Sequence, residues 1–302
     1  MYQKFSIKEN HKNTRFDKWF KLEVLNLPQS LLQKILRKKK IKVNKKKIKA
    51  NYRLQLNDFV EIFDISHFHK SKKENKKKYT PQKKELKKYD DLIIDNNENF
   101  IILNKPQGIP VQGGTKSFKN LIDILSKSNY FIYSKPFVVH RIDKETSGIL
   151  IIAKNRKYAQ LFTSLFRIRK IYKTYLAICI GEIKNIKGIL VDNLEKKENN
   201  KKIYEKAITN YKVLNKNSQF SLVELKPLTG RKHQLRKQTS LIGHPIVGDD
   251  KYSTSQKKTK KLMLHASSIK FKINGKNLEY TANLPDHFLK FLKSTNLNYL
   301  SI

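Results

Sequence analysis

His140-Arg141-Ile142-Asp143-Lys144-Glu145-Thr146-Ser147-Gly148 places one carboxylate among cationic side chains, immediately before the apolar run Ile149–Ala153. That run reads as a strand, and Asn155 just beyond it is an N-cap for a helix carrying Tyr158, Leu161, Phe162, Leu165 and Phe166. Beside Arg141 and Lys144, Asp143 should stay ionised, because an opposite charge within a few ångströms favours the charged form by roughly one to three pKa units. An ionised carboxylate held in a basic cleft has the chemistry of a nucleophile toward an anionic substrate. The same residues equally suit a solvated turn. Neighbouring segments must decide between the two.

Outward from this stretch the chain alternates irregularly between strands and helices. Leu92–Asp95 and Phe100–Leu103 are strand-like, separated by Asn96–Asn99, and the turn Asn104-Lys105-Pro106-Gln107-Gly108 follows. Further strands are expected at Tyr175–Ile180, Ile208–Val213, Phe220–Leu225 and Ile269–Ile273, with short helices near Leu121–Ser126, Arg231–Leu241 and Asp286–Leu292. Strands dominate, so residues 92–302 are expected to form an α+β domain with a mixed, mainly antiparallel sheet.

Lys and Arg total 65 against 25 Asp and Glu, a net charge of +40. Such an excess repels itself unless a polyanion is near, which points to nucleic acid as the partner. It is mostly Lys, in a chain also rich in Asn and Ile, so part of it reflects composition bias rather than function. The single cysteine, Cys179, lies in an apolar run and excludes a disulfide framework. No stretch reaches the roughly eighteen uncharged apolar residues of a membrane span, and Met1-Tyr2-Gln3-Lys4-Phe5 lacks the apolar core of a secretory signal. A soluble cytoplasmic protein with no membrane partner is expected.

Ahead of residue 92 lie two further segments. Phe16, Trp19 and Phe20 are spaced for one helix face; Pro28-Gln29-Ser30 starts a second helix carrying Leu31, Leu32, Ile35 and Leu36 and ending in Arg37-Lys38-Lys39-Lys40. Short strands follow at Ile41–Val43 and Phe59–Ile62. Residues 66–91 are Lys-rich, apolar-poor and aperiodic, and read as a flexible basic linker.

Residues 1–65 resemble an S4 RNA-binding domain. The matching positions are Arg15/Asp17/Lys18, Ser30/Ile35, Val43/Asn44/Ile48/Lys49 and Leu54/Asp58/Val60/Ile62. The chain departs from the family where Lys39 or Lys40 replaces a common glycine, and again at Asn57. Asparagine tolerates the left-handed turn. The resemblance implies RNA contacts by Arg15, Lys18, Arg37, Lys38, Lys42 and Asn44.

In the larger domain the ordered set Asn104-Lys105-Pro106-x-Gly108, His140 to Gly148, Thr229-Gly230-Arg231-Lys232-His233-Gln234-Leu235-Arg236 and Gly243-His244-Pro245-Ile246-x-Gly248-Asp249-x-x-Tyr252 resembles the RluA family of RNA pseudouridine synthases. The S4-like segment points to its RluC/RluD branch, and the local wording Val111-Gln112-Gly113-Gly114 stands nearer the RluC type. The resemblance implies isomerisation of uridines in large-subunit (23S) ribosomal RNA by a monomer, needing no cofactor and no metal.

It also assigns roles. Asp143 is the essential carboxylate, whether it attacks C6, attacks C1′ or removes a sugar proton. Arg236 is its ion partner, with Arg231 the alternative. Leu235 forms an apolar wall for the uracil. Tyr175, in Lys173-Thr174-Tyr175-Leu176-Ala177, stacks on the extruded base. Arg141 and His140 either approach the substrate, a guanidinium filling the gap left by the flipped base, or make phosphate and loop contacts. Gly148 allows a tight backbone turn. His233 and His244 are expected to make structural hydrogen bonds, and Gln238 departs from a histidine common in the family. Two other classes compete: an RNA-binding assembly factor without activity, and a glycoside-cleaving hydrolase, which would call for two opposed carboxylates.

Overall fold

Phe16, Trp19 and Phe20, three or four residues apart, all point inward from α1 (Phe16–Glu23) and are buried. Against them pack Leu32, Ile35 and Leu36 of α2 (Gln29–Arg37), and a three-stranded antiparallel sheet completes this first unit. Its strands are β1 (Tyr2–Ser6), β2 (Ile41–Val43) and β3 (Phe59–Phe63), in the order β1-β3-β2. Strand β1 has no clear signature in the sequence: its burial alternates only weakly, and it exists because it pairs with β3 from Tyr2–Phe63 to Ser6–Phe59. Lys39 and Asn57 both adopt left-handed backbone, φ 57° and 64°, at the turns where the S4 pattern usually carries glycine.

The computed structural model describes residues 2–63, 79–113, 119–198, 201–253 and 261–299. Its chain divides into Met1–Lys76 and Lys77–Ile302.

The second unit begins with α3 (Lys83–Asp90), which corrects the expectation of a linker running to residue 91. Leu86 and Tyr89 lie on one side of this helix and join Ile101, Leu103, Leu121, Ile124 and Leu150 in a buried cluster. Two apolar residues at i, i+3 suffice because neighbouring elements cover them; a composition averaged over 66–91 conceals them. The remaining stretch of the expected linker, 66–78, lies outside the described residues.

The sheet comprises β4 (Ile93–Asn96), β5 (Phe100–Lys105), β6 (Phe137–Val138), β7 (Ser147–Ala153), β8 (Ile171–Ile180), β9 (Lys187–Glu198), β10 (Lys201–Lys216), β11 (Phe220–Pro227), β12 (Leu264–Ile273) and β13 (Lys276–Thr281). Their order is β4-β5-β7-β12-β8-β11-β10-β9, with β6 added on β7 and β13 on β12. Every pairing is antiparallel except β7 with β12, so the sheet is mixed and mainly antiparallel, as expected. Helices α4 (Leu121–Leu125), α5 (Arg156–Arg167), α6 (Gln234–Leu241) and α7 (Asp286–Ser294) flank it. Asn155 caps α5, its side chain accepting from the Tyr158 N–H at 2.9 Å. Strand β7 is buried at all seven positions, so the loop that leads into it ends on a strand enclosed in the core.

Candidate active site

Gly148 fixes one end of the Asp143 loop. Its φ is 108°, and a Cβ there would lie 2.2 Å from the Ala266 carbonyl oxygen, because β7 runs parallel to β12 with Gly148 opposite Ala266. Only glycine permits that approach. Next to it, Ser147 Oγ meets His265 Nδ1 at 2.9 Å. The downstream end of the loop is therefore tied to the sheet.

The upstream end is tied as well. His140 Nε2 accepts the Ile151 N–H at 2.8 Å, and the ring stacks on Phe166 with centroids 4.5 Å apart. Burial drives its pKa down to about 3, so the ring is neutral with its proton on Nδ1. Although His140 borders the cleft, its Nε2 acceptor is committed to the Ile151 N–H of β7. Arg141 next to it is exposed and has no ion partner among the described residues.

Beneath the loop sits Lys105, fully buried. Its ammonium donates to the carbonyls of Pro106 at 2.8 Å, Ile109 at 3.0 Å and Lys144 at 3.2 Å. Three donors meet three acceptors. Burial lowers the Lys105 pKa to about 7, with Glu145 and Asp143 opposing the shift. Gly108 N–H also donates to the Lys144 carbonyl, and Thr146 N–H to that of Asp143. With its flanking backbone held this way, the Asp143 side chain projects into a cleft of about 1190 Å³ and is 28% exposed.

The same cleft is lined by Tyr175, Leu235, Arg236, His140 and Arg141, so the second unit's site candidates converge on one place. Tyr175 comes from β8. Its hydroxyl pKa is raised, by burial first and then by the Asp143 charge, so the phenol stays protonated. Leu235 is buried at the start of α6 within the core that includes Leu176, Leu225 and Leu264.

Arg236 departs from expectation. Its guanidinium forks onto Asp249, Nε to Oδ2 at 2.7 Å and Nη2 to Oδ1 at 2.6 Å, instead of pairing directly with Asp143. Asp249 also accepts the N–H groups of Lys251 and Tyr252. Burial works most strongly against the guanidinium's charge, but the hydrogen bonds and charge of Asp249, with Asp143 and Tyr252 adding to them, together hold its pKa above the ordinary value. The geometric reason is local: Asp249 lies within the buried turn that α6 faces, whereas Asp143 stands across the cleft.

The side chain that does approach Asp143 is His233, Nε2 to Oδ1 at 3.7 Å. Its Nδ1 lies 2.9 Å from the Tyr252 hydroxyl. The expectation that His233 makes only structural contacts is incomplete. For His244 it holds, since Nδ1 meets the Ile180 carbonyl at 2.9 Å. Arg231 is likewise structural, bonded to the Lys206 carbonyl and Glu205. Gln238 is fully buried and bridges Thr209, Asp192 and the Leu190 carbonyl, tying α6 to β9 and β10.

Of the cations lining the cleft, Lys226, Lys270, Arg231 and Arg236 are each matched by a carboxylate. Arg141, Arg167, Arg169 and Lys173 are not, among the described residues, and they leave one side of the cleft positive. No group of three or more His, Cys, Asp or Glu able to hold a metal occurs among the described residues.

In the first unit, Lys18, Arg37 and Lys38 are exposed, and the Lys42 ammonium lies 5.5 Å over the Phe63 ring. Arg15 forks onto Asp17 at 2.7 and 3.1 Å. Asn44 has a structural role as well: its amide donates to Asp58 at 2.7 Å and accepts the Phe59 N–H at 2.8 Å, so the side chain closes a turn at φ 50°.

Comparison with known proteins gives the family. Residues 99–241 match the family model described as RNA pseudouridylate synthase. The chain is 33% identical over 280 residues to the ribosomal large subunit pseudouridine synthase C of Vibrio vulnificus, covering 88% of this chain and 87% of that one. To the protein of the same name from Rickettsia conorii it is 37% identical over 297 residues, covering 93% and 97%. Among solved structures, human RNA pseudouridylate synthase domain containing 4 superposes with a TM-score of 0.63 at 26% identity, over 72% of this chain and 97% of that one. With these relatives matched over most of its length, the chain belongs to the RluA family of RNA pseudouridine synthases, isomerases acting on uridine in RNA.

Proposed function

We propose that this protein converts specific uridines of large-subunit ribosomal RNA to pseudouridine, with RluC-type site choice and with Asp143 as the catalytic carboxylate. The observation that carries the reading is the delivery of Asp143, on a loop tied at both ends, into a cleft walled by Tyr175 and Leu235. The reaction breaks the bond between C1′ and N1, turns the uracil, and joins C1′ to C5; the C5 proton leaves and N1 gains one. Atoms and electrons balance within the nucleotide. A buried leucine wall holds the detached base, and a protonated tyrosine ring stacks on it.

The target base first leaves its stack, which costs a few kcal/mol that pocket contacts offset. Arg141, Arg167 and Arg169, which have no carboxylate partner among the described residues, suit the phosphates on either side of the flipped nucleotide. The first unit, read as an S4 domain, supplies further backbone contacts through Lys18, Arg37 and Lys38.

The test is Asp143→Asn assayed on a large-subunit ribosomal RNA transcript. Pseudouridine formation should vanish while RNA affinity stays within about twofold, a split that marks loss of a transition-state interaction alone. Turnover by this variant would overturn the assignment.

A further inference from the structure

His233 occupies a position that ordinary packing does not require. It stands at the N-cap of α6 with φ 53°, a left-handed backbone that costs a β-carbon residue free energy, and its side chain makes no cap hydrogen bond. The ring instead bridges two groups, with Nδ1 at 2.9 Å from the Tyr252 hydroxyl and Nε2 at 3.7 Å from Asp143 Oδ1. Ring and phenol meet edge-on, centroids 5.7 Å apart.

The two neutral tautomers differ sharply here. A proton on Nδ1 would donate to Tyr252 and turn the Nε2 lone pair toward the carboxylate, which is repulsive. A proton on Nε2 lets Tyr252 donate to Nδ1 and aims an N–H at Asp143, so both contacts are attractive. Tyr252 has a raised pKa, from burial first, and keeps the proton it must donate. The ring itself stays neutral, because burial and the surrounding Arg236, Lys251 and Lys232 disfavour a further cation despite Asp143.

We propose that His233 is a positioning residue: held as the Nε2–H tautomer by Tyr252, it closes onto Asp143 when a nucleotide fills the cleft and aims the carboxylate at the reacting carbon. Hydrogen bonds that are long in an empty site commonly tighten around substrate. A neutral donor orients the carboxylate without neutralising it, whereas Arg236 already shares its charge with Asp249. This inference rests on the catalytic reading of Asp143.

The experiment compares wild type, His233→Phe, His233→Gln and Tyr252→Phe on one large-subunit ribosomal RNA transcript, recording kcat, KM and Tm. Wild-type turnover comes first; its absence would sink the catalytic reading itself. Given turnover, His233→Phe should lower kcat by about 10- to 100-fold, the scale of a misaimed group, with KM within about twofold. His233→Gln, whose amide N–H replaces Nε2–H, should recover most of that loss. Tyr252→Phe should fall between them. Unchanged kcat in His233→Phe overturns the proposal. So does an equal loss in Phe and Gln variants with a matching drop in Tm, which would make the ring a structural part of the α6 start.

Discussion

Replacing Asp249 with Asn tests how the cleft's far wall is held. The Arg236 side chain is 9% exposed and that of Asp249 is wholly buried, and their two hydrogen bonds of 2.6 and 2.7 Å form a fork with no slack. Asparagine keeps the shape but removes the charge and turns an N–H₂ toward one guanidinium donor. Breaking a buried pair from one side costs about 3–5 kcal/mol, because the surviving charge has no compensation. Arg236 borders the cleft and can regain some water, so a loss of about 3 kcal/mol is expected, the low end of that range. A second consequence concerns chemistry. Freed from Asp249, Arg236 is drawn to the other nearby anion, Asp143, and would hold it in an ion pair, so turnover should fall at least tenfold. Urea unfolding followed by circular dichroism reads the first effect, and single-turnover pseudouridine formation the second. The double variant Arg236→Met/Asp249→Asn carries neither charge, so it should regain much of the stability and, with no guanidinium left to capture Asp143, part of the turnover. If Asp249→Asn unfolded at the wild-type midpoint and turned over normally, the pair would not be what supports this wall.

Two further outcomes are expected. His140 and His265 have folded pKa values of about 3 and 4, both depressed mainly by burial from the ordinary 6.5. Below 6.5 the unfolded chain binds protons that the folded chain refuses, so stability falls as pH drops toward those values, by up to about 1.4 kcal/mol per pH unit for each ring. Proton NMR should then show two imidazoles that do not titrate between pH 8 and 5, and titration of all eight histidines in that range would contradict the buried, neutral assignment. Replacing Lys18, Arg37 and Lys38 together by alanine should weaken RNA binding and flatten the slope of log affinity against log salt by about 0.7–0.9 for each phosphate no longer neutralised; an unchanged slope would mean the first unit does not grip RNA through them.

Much of this protein was legible locally. The spacing of Phe16, Trp19 and Phe20, the Asn155 cap and the glycine-like turns at Lys39 and Asn57 all express interactions between residues a few positions apart. The same holds for the chemical identity of the Asp143 loop, because its charges, its Gly148 and its apolar strand are contiguous. What stayed hidden was partnership at long range. Strand β1 forms only because β3, more than fifty residues later, offers it an edge. Helix α3 forms only where Ile101 and Leu150 cover Leu86 and Tyr89. Asp249 rather than Asp143 claims Arg236, His233 rather than Arg236 faces Asp143, and Lys105 disappears beneath the loop to hold the Lys144 carbonyl. Residue types and spacing state which groups a chain can bring to a site; Coulomb and hydrogen-bond energies depend on distances of a few ångströms, and those distances exist only once the sheet has closed.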